Sequence, residues 1–247
     1  MTEQDRTTPI LTIEELEHTY GRVTVLDDVS FAVDPGDVTA IIGPNGSGKT
    51  TLIRAIVGLH QPSGGTVRYR GPDATRPIGY LQQRPAFRPG QTVREALAFY
   101  AALVGETEAD AVARLERVGL GAAADRNVEA LSGGMRQLLG IAQATVGDPP
   151  LIVLDEPASG LDPNMSENVF GTAAEMAGSG TTVLISSHDL ALVETTADTV
   201  VVLDRGSVAA AGSPRDLRER FGTDSLRGVL NAVVGDTEAV AVVGGSR

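Results

Sequence analysis

Apolar positions along this chain fall into two kinds of run. Val38-Thr39-Ala40-Ile41-Ile42, Leu151-Ile152-Val153-Leu154 and Thr181 to Ser186 are short and nearly continuous. That is the pattern of strands buried on both faces of a parallel sheet. Ile10-Leu11-Thr12-Ile13 starts a further strand, and Val23 to Val33 reads as strand broken at Asp27-Asp28. Thr66 to Arg70 alternates, Ile78 to Leu81 follows, and Val200 to Leu203 pairs in pattern with Ser207 to Ala211 across an Asp204-Arg205-Gly206 turn. Between Thr92 and about Ala124 the period turns helical. Val93, Leu97 and Tyr100 mark one helix there, and Val112, Leu115, Val118 and Leu120 a second. Other helices are expected over 51–57 with Gly58 as stop signal, from 133 to about 146, from 163 to about 177, and from the cap-plus-proline start Ser213-Pro214. Beyond Gly222 only a short helical pattern remains, and no internal repeat is visible.

The stretch that organises the rest lies between the first buried strand and the helix after it. Gly43-Pro44-Asn45-Gly46-Ser47-Gly48-Lys49-Thr50 fits G-x-x-x-x-G-K-[ST] without a gap. Glycines at 43, 46 and 48 let the backbone curl so that successive N–H groups point at one anion, and the following helix adds its positive end. Lys49 then places a point charge between the β- and γ-phosphates of a nucleotide, and the Thr50 hydroxyl suits Mg²⁺. Lys49 is the only lysine in the chain, where every other long basic side chain is arginine. A compact, flexible ammonium suits a phosphate at that place. A glycine-rich turn that merely joins strand to helix is the plainer alternative, and it explains neither the lysine nor the threonine.

Other chemistry gathers at strand ends. Asp155 and Glu156 close a buried strand, where open α/β sheets place their ligands. Neighbouring strand residues point to opposite faces, so the two acids are expected to work apart, Asp155 on Mg²⁺ and Glu156 on an attacking water. His188 follows another buried strand at the same edge. A lone histidine is usually structural, and this one draws its weight as a γ-phosphate contact from its company. Ser132-Gly133-Gly134 opens a helix and is a second candidate anion site, although an ordinary N-cap gives the same pattern. Tyr20 lies upstream and suits either packing or a purine face.

Composition narrows the class. The 247 residues allow one large α/β domain with an appended subdomain. Twenty basic against 32 acidic residues, a formal charge of −12, disfavour nucleic acid as a partner. There is no cysteine, so neither disulfides nor thiolate metal sites arise. No apolar run is long enough to span a bilayer, and the polar N-terminus lacks a secretory pattern, so a cytoplasmic protein is expected.

Taken in order, these motifs resemble the ATP-binding subunit of an ATP-binding-cassette (ABC) transporter over roughly residues 10–220. Tyr20 resembles the A-loop, Gly43 to Thr50 with Thr51 the Walker A motif, and Gln83 the Q-loop. Leu131-Ser132-Gly133-Gly134-Met135-Arg136-Gln137 resembles the signature, Leu151 to Glu156 Walker B, Ser159 to Asp162 the D-loop, and His188 the switch histidine. The resemblance implies a P-loop α/β fold with a mainly parallel core sheet. An N-terminal antiparallel β subdomain, a helical subdomain inserted at about 90–145 and a tail over 221–247 complete the expected layout. It implies ATP and Mg²⁺ as ligands, with Thr50, Gln83 and Asp155 at the metal and Lys49, Glu156 and His188 at the chemistry. Its implied partners are a transmembrane permease and a second copy of the chain, with two ATP molecules between each P-loop and the other copy's signature. Met135 within the signature is similar to the ABC-2 export group. Phe87 to Tyr100 leans towards exporters that support copper-site assembly in nitrous-oxide reductase. A soluble ABC ATPase switch of the iron–sulfur assembly kind is the alternative.

Overall fold

The computed structural model describes residues 8–243, with side chains up to residue 235. Strands β1 (Leu11–Tyr20), β2 (Val23–Val33) and β3 (Val38–Ile42) lead into helix α1 (Lys49–Ile56), followed by β4 (Gly64–Tyr69) and β5 (Ile78–Leu81). Helices α2 (Val93–Leu103), α3 (Glu108–Arg117) and α4 (Gly133–Thr145) come next, then β6 (Leu151–Asp155), α5 (Pro163–Gly178) and β7 (Thr182–Ser186). The chain continues with α6 (Leu190–Thr196), β8 (Thr199–Asp204), β9 (Ser207–Gly212), α7 (Pro214–Phe221) and α8 (Leu226–Val243).

Two sheets result. The larger has the order β5-β6-β7-β3-β8-β9 and is parallel except for the β8–β9 hairpin. The smaller, β2-β1-β4, is antiparallel. A mainly parallel sheet with a separate antiparallel one is the P-loop α/β layout that the motifs lead one to expect. Alternation along the central strands divides the core. Val38, Ala40 and Ile42 of β3, with Ile152 and Leu154 of β6, face the helical side. Ile41, Leu151 and Val153 face α1 and the antiparallel sheet. Both faces are therefore dry, which is why these strands read as continuous apolar runs.

Local chemistry sets the helix starts. Thr92 with Glu95, and Thr107 with Asp110, form capping boxes ahead of α2 and α3. Asp162 caps α5 and Ser213 caps α7, each followed by proline in the first turn.

Four expectations change in detail. β2 runs on through Asp27-Asp28, which form a bulge with Asp28 at φ 52°, instead of breaking there. Tyr20 ends β1 and pairs with Val23, so it belongs to a hairpin and does not stand between two strands. The second inserted helix stops at Arg117, and Val118 and Leu120 are buried from the turn that follows. Past Gly222 the helical pattern is long: α8 seats Leu226, Val229 and Val233 in the core of the helical side.

Candidate functional site

The C-terminal ends of β3, β6 and β7 meet at one edge, with Asp155 opposite Ser186 in register. β3 ends directly at the glycine-rich loop. Gly48 is left-handed at φ 105° and caps α1, whose first residues are Lys49 and Thr50. A Cβ there would lie 2.9 Å from Leu26 Cδ2, so both backbone and space demand glycine. At Gly43 a Cβ would overlap the Leu203 carbonyl oxygen. The turn between β8 and β9 braces the loop from behind through the Gly206 N–H to Ser47 carbonyl bond of 3.0 Å.

The loop surrounds a groove of about 240 Å³ lined by Val25, Asn45, Gly46, Gly48, Lys49, Thr50, Thr51, Gln83 and Glu156. Lys49 is 7 % exposed, and its ammonium donates to the carbonyls of Gly43 (2.8 Å) and Pro44 (3.1 Å). Burial lowers its pKa, while the charges of Glu156 and Asp155 pull the other way. The Ser47 hydroxyl is buried without a hydrogen-bond partner beside this cradle.

The two acids take separate surroundings, though not by the alternation expected of a strand. β6 ends at Asp155, and Glu156 follows with φ 49°, a left-handed backbone outside the sheet. That kink aims the two carboxylates at different partners. Asp155 accepts from Ser186 Oγ at 2.9 Å and from Thr50 Oγ1 at 3.4 Å. Burial raises its pKa, and the Ser186 bond works against that. Glu156 lies 3.9 Å from Lys49 Nζ through Oε1 and 2.7 Å from His188 Nδ1 through Oε2. A carboxylate can only accept, so Nδ1 carries the proton in that bond.

Sequence reasoning passed over Ser186. Its fully buried hydroxyl donates to Asp155 and accepts the Glu156 N–H at 2.8 Å, so one side chain orients both acids. A hydroxyl ending an otherwise apolar strand was the available signal.

Oxygen donors from Thr50, Asp155 and Gln83 suit a hard divalent cation. Among the described residues no cluster of three His, Cys, Asp or Glu side chains could hold a metal alone. Such a set would suit a cation that takes its remaining oxygens from a bound phosphate. Gln83 lines the groove and its carbonyl accepts from Gln137 Nε2 at 2.9 Å. Tyr20 is 45 % exposed on the neighbouring hairpin. Ser132, Gly133 and Gly134 do not line the groove. Ser132 Oγ caps α4 by accepting the Met135 N–H at 3.2 Å, and Ser132 and Gly133 stand open to solvent.

A family model described as ABC transporter matches residues 26–159. The chain belongs to the ABC transporter family. It is 36 % identical over 221 residues to the Nod factor export ATP-binding protein I of Ralstonia nicotianae, spanning 85 % of this chain and 69 % of that one. It is 34 % identical to the methionine import ATP-binding protein MetN of Caulobacter vibrioides, spanning 96 % and 76 %. Among solved structures, an ATP-binding subunit of an ABC transporter superposes with TM-score 0.81 at 32 % identity, covering 91 % of this chain and 99 % of that one. The protein is thus an ABC cassette, an ATPase of the kind that powers transport. No helix among the described residues is long and apolar enough to cross a membrane.

Proposed function

We propose that this cassette is the motor subunit of an exporter, hydrolysing ATP in the groove above Lys49 and passing the resulting movement to a transmembrane permease. The observation that carries the chemical part is the sequence of contacts Lys49–Glu156–His188, spanning 3.9 and 2.7 Å at one sheet edge. Lys49 and the loop N–H groups hold the β- and γ-phosphates. Glu156 accepts a proton from the attacking water, and His188 holds its carboxylate in place from the open side of the groove. Thr50, Asp155 and Gln83 would hold Mg²⁺, which supplies charge neutralisation on the phosphate oxygens. Tyr20 offers a face for the purine, and Thr51 a hydroxyl beside the phosphates.

The groove covers one side of a triphosphate, and the start of α4 at Ser132-Gly133-Gly134, open to solvent at Ser132 and Gly133, is complementary to the other. Two copies related by a two-fold axis would close each groove with the partner copy's signature segment. The cassette would then sit at the cytoplasmic face through its permease. Export is favoured by the likeness of Leu131 to Gln137 to the ABC-2 group and by the Nod factor export relative. Since a methionine importer is also a relative, direction is read from ATP-driven substrate uptake into inside-out vesicles.

The hydrolytic reading is tested on Lys49→Ala, expected to lose hydrolysis and most ATP affinity, and on Glu156→Gln. The latter should still bind ATP while turnover falls on the order of 10²–10⁴-fold, as for loss of a general base. Wild-type turnover in either variant refutes it.

A further inference from the structure

Two of the chain's three histidines, His18 and His60, gather around Tyr20 and away from the hydrolytic contacts. His18 stands on β1, is 7 % exposed, and has neither ring nitrogen hydrogen-bonded. Its ring meets Tyr20 edge-to-face, with centroids 4.7 Å apart at 78°. His60 stands 5.9 Å from the same ring at 88° and 5.5 Å from His18, and its Nε2 lies 3.3 Å from the Tyr20 hydroxyl. The phenol is thus contacted at its ring and at its tip, while the side chain remains 45 % exposed.

His60 is itself tied to the phosphate end of the site. It follows α1, and the N–H groups of Leu59 and His60 both donate to the Arg54 carbonyl, at 2.8 and 3.1 Å. Three residues on, Ser63 clasps the end of β1: its N–H donates to the Glu17 carbonyl at 2.8 Å, and its hydroxyl accepts the Thr19 N–H at 3.1 Å. The 57–63 segment therefore bridges the helix that starts at Lys49 and the strand that ends at Tyr20. Eight residues of α1 at about 1.5 Å each make that helix a rigid spacer of roughly 12 Å.

We infer that His60 is a positioning residue for the nucleobase: it locks the Tyr20 ring, through the hydroxyl bond, at a distance from the phosphate cradle that α1 sets. His18 packs near-perpendicular to the ring and contributes shape. This rests on the reading of Tyr20 as the purine-stacking face. A locked ring costs less entropy to stack against than a free one, so His60 contributes to base affinity without touching the base.

The test is calorimetry on the full chain with two ligands, ATP and inorganic tripolyphosphate, which has phosphates and no base. His60→Ala and His60→Phe should each weaken ATP by about 2- to 10-fold, the worth of one ordinary hydrogen bond. Phenylalanine keeps the ring contact and loses the bond. Tripolyphosphate affinity should stay within twofold in both variants, and His60→Gln, whose amide can still reach the hydroxyl, should restore ATP binding. Tyr20→Ala should weaken ATP by about 5-fold or more, as for loss of a stacked base. If Tyr20→Ala weakens ATP and His60→Ala does not, the positioning role is overturned and the stacking face survives. Equal weakening of ATP and tripolyphosphate by His60→Ala, or failure of His60→Gln to rescue, also overturns it. Unchanged ATP affinity in Tyr20→Ala removes the underlying reading of Tyr20.

Discussion

The side-chain amide of Gln137 donates to the main-chain carbonyl of Gln83 across 2.9 Å, joining α4 to a residue that lines the groove beside Lys49. Gln137 is 5 % exposed, and its own Oε1 has no partner. A movement of α4 would therefore be felt at Gln83 through a part-buried bond. Gln137→Ala should remove about 1 kcal/mol, a fall of roughly 2–4 °C in melting temperature. Amide exchange of the 82–90 segment should quicken with it. Unaltered exchange there would mean that α4 and the Gln83 segment are held by other contacts.

Ser186 is expected to matter beyond its size. Ser186→Ala removes a donor from Asp155 and leaves the buried Glu156 N–H unpaired, a loss of about 1–3 kcal/mol in stability. Turnover should fall on the order of tenfold through misplacement of both acids, with Ser186→Thr retaining most of it. A full-speed alanine variant would dismiss the positioning role.

Asp155 gives a pH dependence with a definite sign. Burial raises its pKa above the ordinary carboxylate value, with the Glu156 charge adding and the Ser186 and Thr50 bonds subtracting. The folded state thus holds this proton more tightly than the unfolded chain does. Its contribution to stability is full below the unfolded pKa and is lost as pH rises through the raised folded value. Asp155→Asn should therefore melt higher than wild type above that window, with the gain shrinking as pH falls through it, while hydrolysis is lost. Melting curves across the acid range to neutrality decide it, and a variant that melts lower at neutral pH contradicts the account.

The second signature glycine has a packing reason. A Cβ at Gly134 would overlap Met165 Cγ on α5, just beyond the Ser159 to Asp162 loop. Gly134→Ala should destabilise by about 1–3 kcal/mol, as overpacking does. Adding Met165→Ala should restore part of the loss, because it removes the obstructing atoms. Additive damage in the double variant would show that the glycine answers to something else.

The proposed two-copy arrangement makes a direct prediction. Glu156→Gln with ATP should double its mass by light scattering at moderate salt, which screens the self-repulsion of a net charge of −12. Ser132→Arg in the same background should stay monomeric, since its side chain would occupy the place of the partner copy's γ-phosphate. ATP-bound monomers of Glu156→Gln, or full dimerisation of the Ser132→Arg form, would contradict the two-copy arrangement.

Much of this molecule was legible along the chain because its signals are local. Continuous apolar runs marked the doubly covered strands β3, β6 and β7, since burial on both faces leaves no room for alternation. Gly43 to Thr50 announced an anion cradle because backbone curl, helix start and lysine all depend on neighbours in sequence. Tertiary structure decided what depends on residues far apart. Sequence periodicity put Asp155 and Glu156 on opposite faces of a strand, whereas a left-handed kink at Glu156 separates them and turns one towards Ser186 and the other towards His188. Ser186 acquired a role only when β7 was laid beside β6 in register. The residues surrounding Tyr20 likewise come from β1 and the loop after α1. Their meeting is set by sheet pairing and by the length of a helix, and neither leaves a mark on the residues that meet.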